Sequence, residues 1–122
     1  MSNTKQKSMK EYRTWGFFEV IAENEAFKVK RILIKPGHKL SLQSHEKRSE
    51  HWVIVQGVAT ITIDAVVKDY GYDQPVFIRR EQKHRIENKT NGDVQVIEVQ
   101  CGDYFGEDDI IRYNDDYSQI LV

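Results

Sequence analysis

Leu40-Ser41-Leu42-Gln43-Ser44-His45-Glu46-Lys47-Arg48-Ser49-Glu50-His51-Trp52-Val53-Ile54-Val55-Gln56-Gly57 is the stretch that decides how this chain folds. Its first part sets Gln43 and His45 two residues apart, on one side of an extended backbone. Its second part sets Glu50, Trp52 and Ile54 on one side and turns His51 to the other. A period of two means strand. The same texture extends outward. Phe27 to Ile34 leads into a turn at Pro36-Gly37, Ala59 to Ile63 alternates, and Val76-Phe77-Ile78 is short. His84 to Glu87 alternates again, Val94 to Val99 stops before Gly102, and Asn88 to Asp93 reads as a hairpin loop. Apolar residues nowhere hold a 3.6-residue period long enough for a full helix, so the expectation is all-β: a small barrel or sandwich.

The whole chain of 122 residues is one domain by length, with residues 1–11 a flexible N-terminal segment and 12–122 the domain proper. Charge is near balance, 18 Lys+Arg against 19 Asp+Glu, which speaks against a nucleic-acid partner. Its distribution is uneven. Lys5, Lys7, Lys10 and Arg13 face only Glu11 at one end, while an acidic segment at the other carries Asp103, Glu107, Asp108, Asp109, Asp115 and Asp116 against Arg112. Such ends are either solvated faces or surfaces that pack on each other or across a dimer. No apolar run is long enough for a membrane helix, and a single cysteine, Cys101, excludes an internal disulfide; the expected compartment is the cytoplasm.

Four side chains carry the chemistry. Gln43, His45, Glu50 and His84 offer amide, imidazole and carboxylate donors that strands of a short barrel can bring together. That set suits one divalent ion (Zn, Mn, Fe, Co or Ni) and not a thiolate-seeking one. The spacing is more specific than the residue types. Five residues separate Gly37 from Gln43, one separates Gln43 from His45, four separate His45 from Glu50 and six separate Glu50 from Gly57; three more separate His84 from Asn88. These two elements resemble the metal-binding motifs of the cupin superfamily, which implies a cupin jelly-roll barrel with Gln43 where a first histidine often sits.

The flanks narrow the resemblance. Tyr12-Arg13-Thr14-Trp15-Gly16, Phe27 to Arg31, Leu40 to His45, Arg48 to Trp52, His84 to Asn88, Ile97 to Gln100 and Gly106 to Ile110 occur in that order. Together they are similar to the cupin domain of type II mannose-6-phosphate isomerases, usually the C-terminal part of a bifunctional phosphomannose isomerase/mannose-1-phosphate guanylyltransferase. The similarity spans residues 12–117. It implies interconversion of mannose 6-phosphate and fructose 6-phosphate, feeding GDP-mannose and polysaccharide synthesis. No Walker-type phosphate loop is present, so this chain is not expected to make GDP-mannose by itself. Thr14 replaces a usual Pro, Arg79-Arg80-Glu81 replaces Pro-x-Gly before His84, and Asp64-Ala65 replaces a Gly-containing turn.

Isomerisation needs a base, an electrophile and a cationic cradle for phosphate. Glu98 is the chosen base, on a strand face with Val96 and Gln100. Arg48, in the loop before Glu50 and near the cavity mouth, is the chosen phosphate ligand and second catalytic residue. Lys30, Arg112, Gln100 and Trp15 complete the expected substrate contacts, with Lys39 and Arg85 as weaker candidates and Trp52 a core residue. The expected partners are a small-molecule sugar phosphate and a second copy in a homodimer. Two alternatives stay open: a cupin that binds metal and sugar without turnover, and one that acts on a nucleotide-linked sugar.

Overall fold

The computed structural model describes residues 4–6 and 9–113, and within them the chain is built from two antiparallel sheets. The strands are β1 (Lys5–Gln6), β2 (Lys10–Arg13), β3 (Gly16–Glu23), β4 (Phe27–Ile34), β5 (Leu42–Ser44) and β6 (Arg48–Gln56). They continue as β7 (Ala59–Ile63), β8 (Val66–Tyr70), β9 (Pro75–Ile78), β10 (His84–Glu87), β11 (Val94–Gly102) and β12 (Ile111–Tyr113). One 3-10 turn, Glu107–Asp109, precedes β12. The larger sheet runs β1-β3-β4-β11-β6-β9, with β2 also on β3; the smaller runs β12-β5-β10-β7-β8.

Alternation decides what faces inward. Ile32, Ile34, Trp52, Ile54, Ile61, Val76, Ile78, Ile86, Val94 and Val96 form the core between the sheets. Each such side chain contributes roughly 1.5–3 kcal/mol by leaving water. Three central strands of the large sheet share a gradient. Register aligns Ile32, Val96 and Ile54 in one inward row, Lys30, Glu98 and Trp52 in the next, and Lys28, Gln100 and Glu50 in a third. One end is therefore closed and oily; the other is lined by ionisable groups.

On β11 the outward residues Ile97 and Val99 are apolar where the inward Glu98 and Gln100 are polar, the reverse of an ordinary surface strand. Across the sheet, Ile97 faces Val53 and Val99 faces His51, whose ring lies 4.6 Å from the half-exposed Phe77.

Several sequence expectations change. Within the 1–11 segment, Lys5–Gln6 pairs with β3 and Lys10–Glu11 belongs to a strand paired with Phe18 and Glu19. The 88–93 stretch is not a hairpin: β10 lies in the small sheet and β11 in the large one, so it crosses between sheets. Buried Asn88 pins that crossing, donating from Nδ2 to the Ile34 and Gly92 carbonyls. Strand β3 escaped the pattern because its register slips between Val20 and Ala22, which breaks the alternation. Strand β8 escaped because it is an exposed edge with no core face. Asp115, Asp116 and the remainder of the acidic tail from 114 onward lie outside the described residues. No helix is long and apolar enough to cross a membrane among the described residues.

Candidate metal centre and its facing carboxylate

The polar end encloses a cavity of about 130 Å³ between the sheets. Strand β6 brings Glu50 to it, the residues just after β5 bring His45, and β10 brings His84, all three buried. One ligand atom from each lies within 4.8 Å of the others.

Hydrogen bonds orient both imidazoles. His45 Nδ1–H donates to the Asp109 carbonyl at 3.1 Å, and His84 Nδ1–H donates to the Gln82 carbonyl at 2.9 Å. A nitrogen that donates to a carbonyl must carry the proton, so in the neutral ring each Nε2 keeps its lone pair. His45 Nε2 lies 3.2 Å from Glu50 Oε2, and His84 Nε2 lies 3.8 Å from Glu50 Oε1. Two lone pairs converging on a carboxylate form an acceptor cluster that fits a divalent cation, and backbone carbonyls behind metal-binding imidazoles commonly fix the tautomer this way. Burial lowers the His84 pKa, which keeps it a neutral donor. Burial alone would raise the Glu50 pKa. The Arg48 guanidinium beside it opposes that effect, and this carboxyl is held well below the usual range.

Gln43 is the Cα partner of His84 across β5 and β10 and lines the same cavity. Its Nε2 donates to Ser41 Oγ at 2.6 Å, which leaves the carbonyl oxygen as the atom it can offer a cation. Trp52 is a core residue as expected and adds what the sequence did not disclose: its Nε1–H donates to Glu50 Oε1 at 3.0 Å. A tilted pair of rings, His45 and His84, stands 5.1 Å apart beside it.

Glu98 also lines the cavity and is buried. Burial and the nearby charge of Glu50 push its pKa up to about 6, against the opposing pull of Lys30, Arg48 and a hydrogen bond from Gln100. A carboxylate so placed is poised to exchange protons near neutrality.

Two expected substrate contacts, Arg48 and Gln100, stand elsewhere than the sequence placed them. Arg48 is not in a loop at the mouth; it is the first residue of β6, buried, with Nε donating to Glu50 Oε2 at 3.0 Å and Nη2 donating to His45 Nε2 at 3.2 Å. Gln100 is fully buried behind Glu98 and donates to it without lining the cavity. Trp15 is part of the core cluster and reaches the cavity only as wall. Lys30 is buried and Arg112 exposed, and both line the cavity, as do Arg13 and Arg85. Lys39 does not line it, and its backbone forms an isolated antiparallel β-bridge with Glu87. Sequence reasoning gave Glu107 no role, although it lies in the Gly106 to Ile110 block; the 3-10 turn brings it to the cavity wall.

A sequence model of the mannose-6-phosphate isomerase C-terminal family matches residues 1–115. The mannose-1-phosphate guanylyltransferase ManC of Salmonella typhimurium is 41% identical over 109 residues, 89% of this chain and 23% of that protein. The xanthan biosynthesis protein XanB of Xanthomonas campestris is 43% identical over 110 residues, 90% of this chain and 24% of its own. This chain thus spans about a quarter of the length of the curated relatives it matches. Among solved structures, the oxalate decarboxylase of Bacillus subtilis superposes with a TM-score of 0.80 at 18% identity, covering 92% of this chain and 32% of that one. A double-stranded β-helix protein of Klebsiella pneumoniae gives 0.70 at 15% identity, covering 79% of this chain and 82% of that one. The fold is a cupin, a double-stranded β-helix.

Proposed function

This chain belongs to the family of mannose-6-phosphate isomerase C-terminal domains, and from that premise we propose that it is a metal-dependent isomerase interconverting mannose 6-phosphate and fructose 6-phosphate. The observation that carries the reading is the buried pairing of an oriented His45–Glu50–His84 cluster with a second carboxylate, Glu98, in one cavity. His45, Glu50 and His84, with Gln43, would hold a divalent ion, which when bound supplies Lewis acidity to the sugar's carbonyl and hydroxyl oxygens.

The chain's own residues do the rest. Glu98 takes the proton from C2 of the aldose and returns it to C1, while the hydroxyl proton moves from O2 to O1, passing through a cis-enediol. Its pKa of about 6 lets it act in both directions. Gln100 is a positioning residue that holds the Glu98 carboxylate through one oxygen. Lys30 and Arg48 supply positive charge for the phosphate, and Trp52 and Arg48 fix Glu50.

The experiment is a coupled assay with each sugar phosphate, before and after EDTA treatment and metal return. Metal-dependent turnover supports the reading; stoichiometric metal without turnover refutes it. That second outcome belongs to a reading of the chain as a metal- and sugar-binding cupin, which the strained turn before His84 favours. Glu81 has φ of 70° there, where glycine would be at ease.

Two further proposals concern context. The chain works in the cytoplasm, where Cys101 stays a free thiol. It pairs with a second copy through the apolar outer face around Val53, Phe77, Ile97 and Val99; a monomer mass in solution at micromolar concentration would refute this.

A further inference from the structure

Lys30 and Arg48 present two buried cations to the cavity, and their shared counter-ion is a residue the isomerase reading does not use. Lys30 Nζ lies 3.5 Å from Glu107 Oε2, and Arg48 Nη1 lies 3.7 Å from the same oxygen. Both contacts are long. Among the described residues Arg48 Nη1 is buried and makes no hydrogen bond, although Nε and Nη2 of the same guanidinium are engaged. Lys30 Nζ is also held 4.4 Å from the centre of the Phe18 ring, away from bulk water. One Glu107 oxygen therefore serves both Lys30 Nζ and Arg48 Nη1 at long range, while Glu50 holds the Nε side of the guanidinium at 3.0 Å.

Glu107 is placed to leave without disturbing the fold. Its side chain is 54% exposed, against 8% for Lys30 and 3% for Arg48. The turn that bears it is anchored by its neighbour: Asp109 accepts from the Glu46 and Lys47 amides at 3.3 and 3.0 Å and from His45 through its carbonyl. A rotation of Glu107 toward solvent breaks none of these bonds.

We infer that Lys30 and Arg48 form a subsite for a phosphomonoester dianion, and that Glu107 occupies it as an internal competitor which the incoming anion displaces. A phosphate offers three oxygens and about twice the charge of the carboxylate, enough to reach Nζ and the idle Nη1 together. This deepens the sugar-phosphate reading and rests on it for the identity of the natural anion.

The test is titration calorimetry of inorganic phosphate into the metal-free full chain, which removes the cation as a rival ligand. Wild type is compared with Glu107→Gln and with the double variant Lys30→Met/Glu107→Gln. Removing the competitor tightens phosphate binding by about tenfold in Glu107→Gln, and the double variant loses that gain. In the metal-loaded protein, Glu107→Gln lowers KM for mannose 6-phosphate with little change in kcat. Unchanged phosphate affinity in Glu107→Gln, or a gain that survives in the double variant, overturns the subsite. Turnover by wild type together with that failure leaves the isomerase reading standing. A tenfold gain together with no metal-dependent turnover sinks the isomerase reading and keeps the subsite.

Discussion

Replacing Glu98 by Gln should make the metal-free protein more stable at pH 8 while abolishing turnover. The folded chain raises the Glu98 pKa from 4.5 to about 6. Below about pH 4.5 both folded and unfolded chains hold the proton, and the group has no pH-dependent effect on stability. Between 4.5 and about 6 the unfolded chain ionises first, so stability falls as pH rises. Above that the fold carries a buried carboxylate at a constant penalty. The rise in pKa, at about 1.4 kcal/mol for each tenfold change in proton affinity, sets that penalty near about 2 kcal/mol. Gln mimics the protonated acid in shape, and its carbonyl still accepts from Gln100. For a domain of this size, about 2 kcal/mol is worth about 6–10 °C in Tm. The assay is thermal unfolding of both proteins in EDTA at about pH 4.5 and pH 8. The variant should lead by that margin at the higher pH and by little at the lower. Adding a divalent ion should narrow the lead, since a nearby cation favours the ionised wild-type group. An equal difference at both pH values, or a wild type that is more stable at pH 8, would refute the reasoning.

Trp52→Phe removes the N–H that holds Glu50 and should weaken metal affinity about 10–100-fold, read by competition with a chelating dye. Glu81→Gly relieves a left-handed φ of 70° and should raise stability by up to about 1 kcal/mol in denaturant unfolding. Asp64→Gly, at φ 53°, should gain nothing, because its carboxylate accepts from the Lys83 amide and Gln82 Nε2. Gly102→Ala should cost about 2 kcal/mol or more and reduce activity. The added Cβ would meet the Lys47 carbonyl at 2.3 Å and the Arg48 Cα at 2.8 Å, backbone atoms that set the start of β6.

Short apolar runs bounded by turn signals located β4, β7 and β10, and of these β4 and β10 alternate buried with partly exposed positions. Alternation also put Glu98 and Gln100 on one face with Val96 but left open whether that face points inward or to solvent, and core burial turns it inward. The spacing of His45, Glu50 and His84 pointed to a shared site through its resemblance to the cupin motifs, and the three ligand atoms do converge. What stayed hidden depends on side-chain reach and on distant contacts. Arg48 shares the inward face with Glu50 because β6 begins at Arg48, and it is the start of the strand, not its period, that the sequence left open. Glu107 and Asp109 read as solvated acids, and only the return of the chain across His45 gives them partners 64 and more residues away. The Asn88–Asp93 stretch has hairpin chemistry, yet its flanking strands belong to different sheets, a choice made by core burial.

The graded rows across β4, β11 and β6 divide labour along the length of the barrel. Substitutions at Lys28, Lys30, Glu98 or Gln100 rewrite ligand chemistry a full strand-row away from Ile32, Val96 and Ile54, which secure the architecture. The rows are nonetheless neighbours, and Ile32 and Val96 line the same cavity as Lys30 and Glu98, so retuning the polar end for a new anion also draws on the stability of the core beside it.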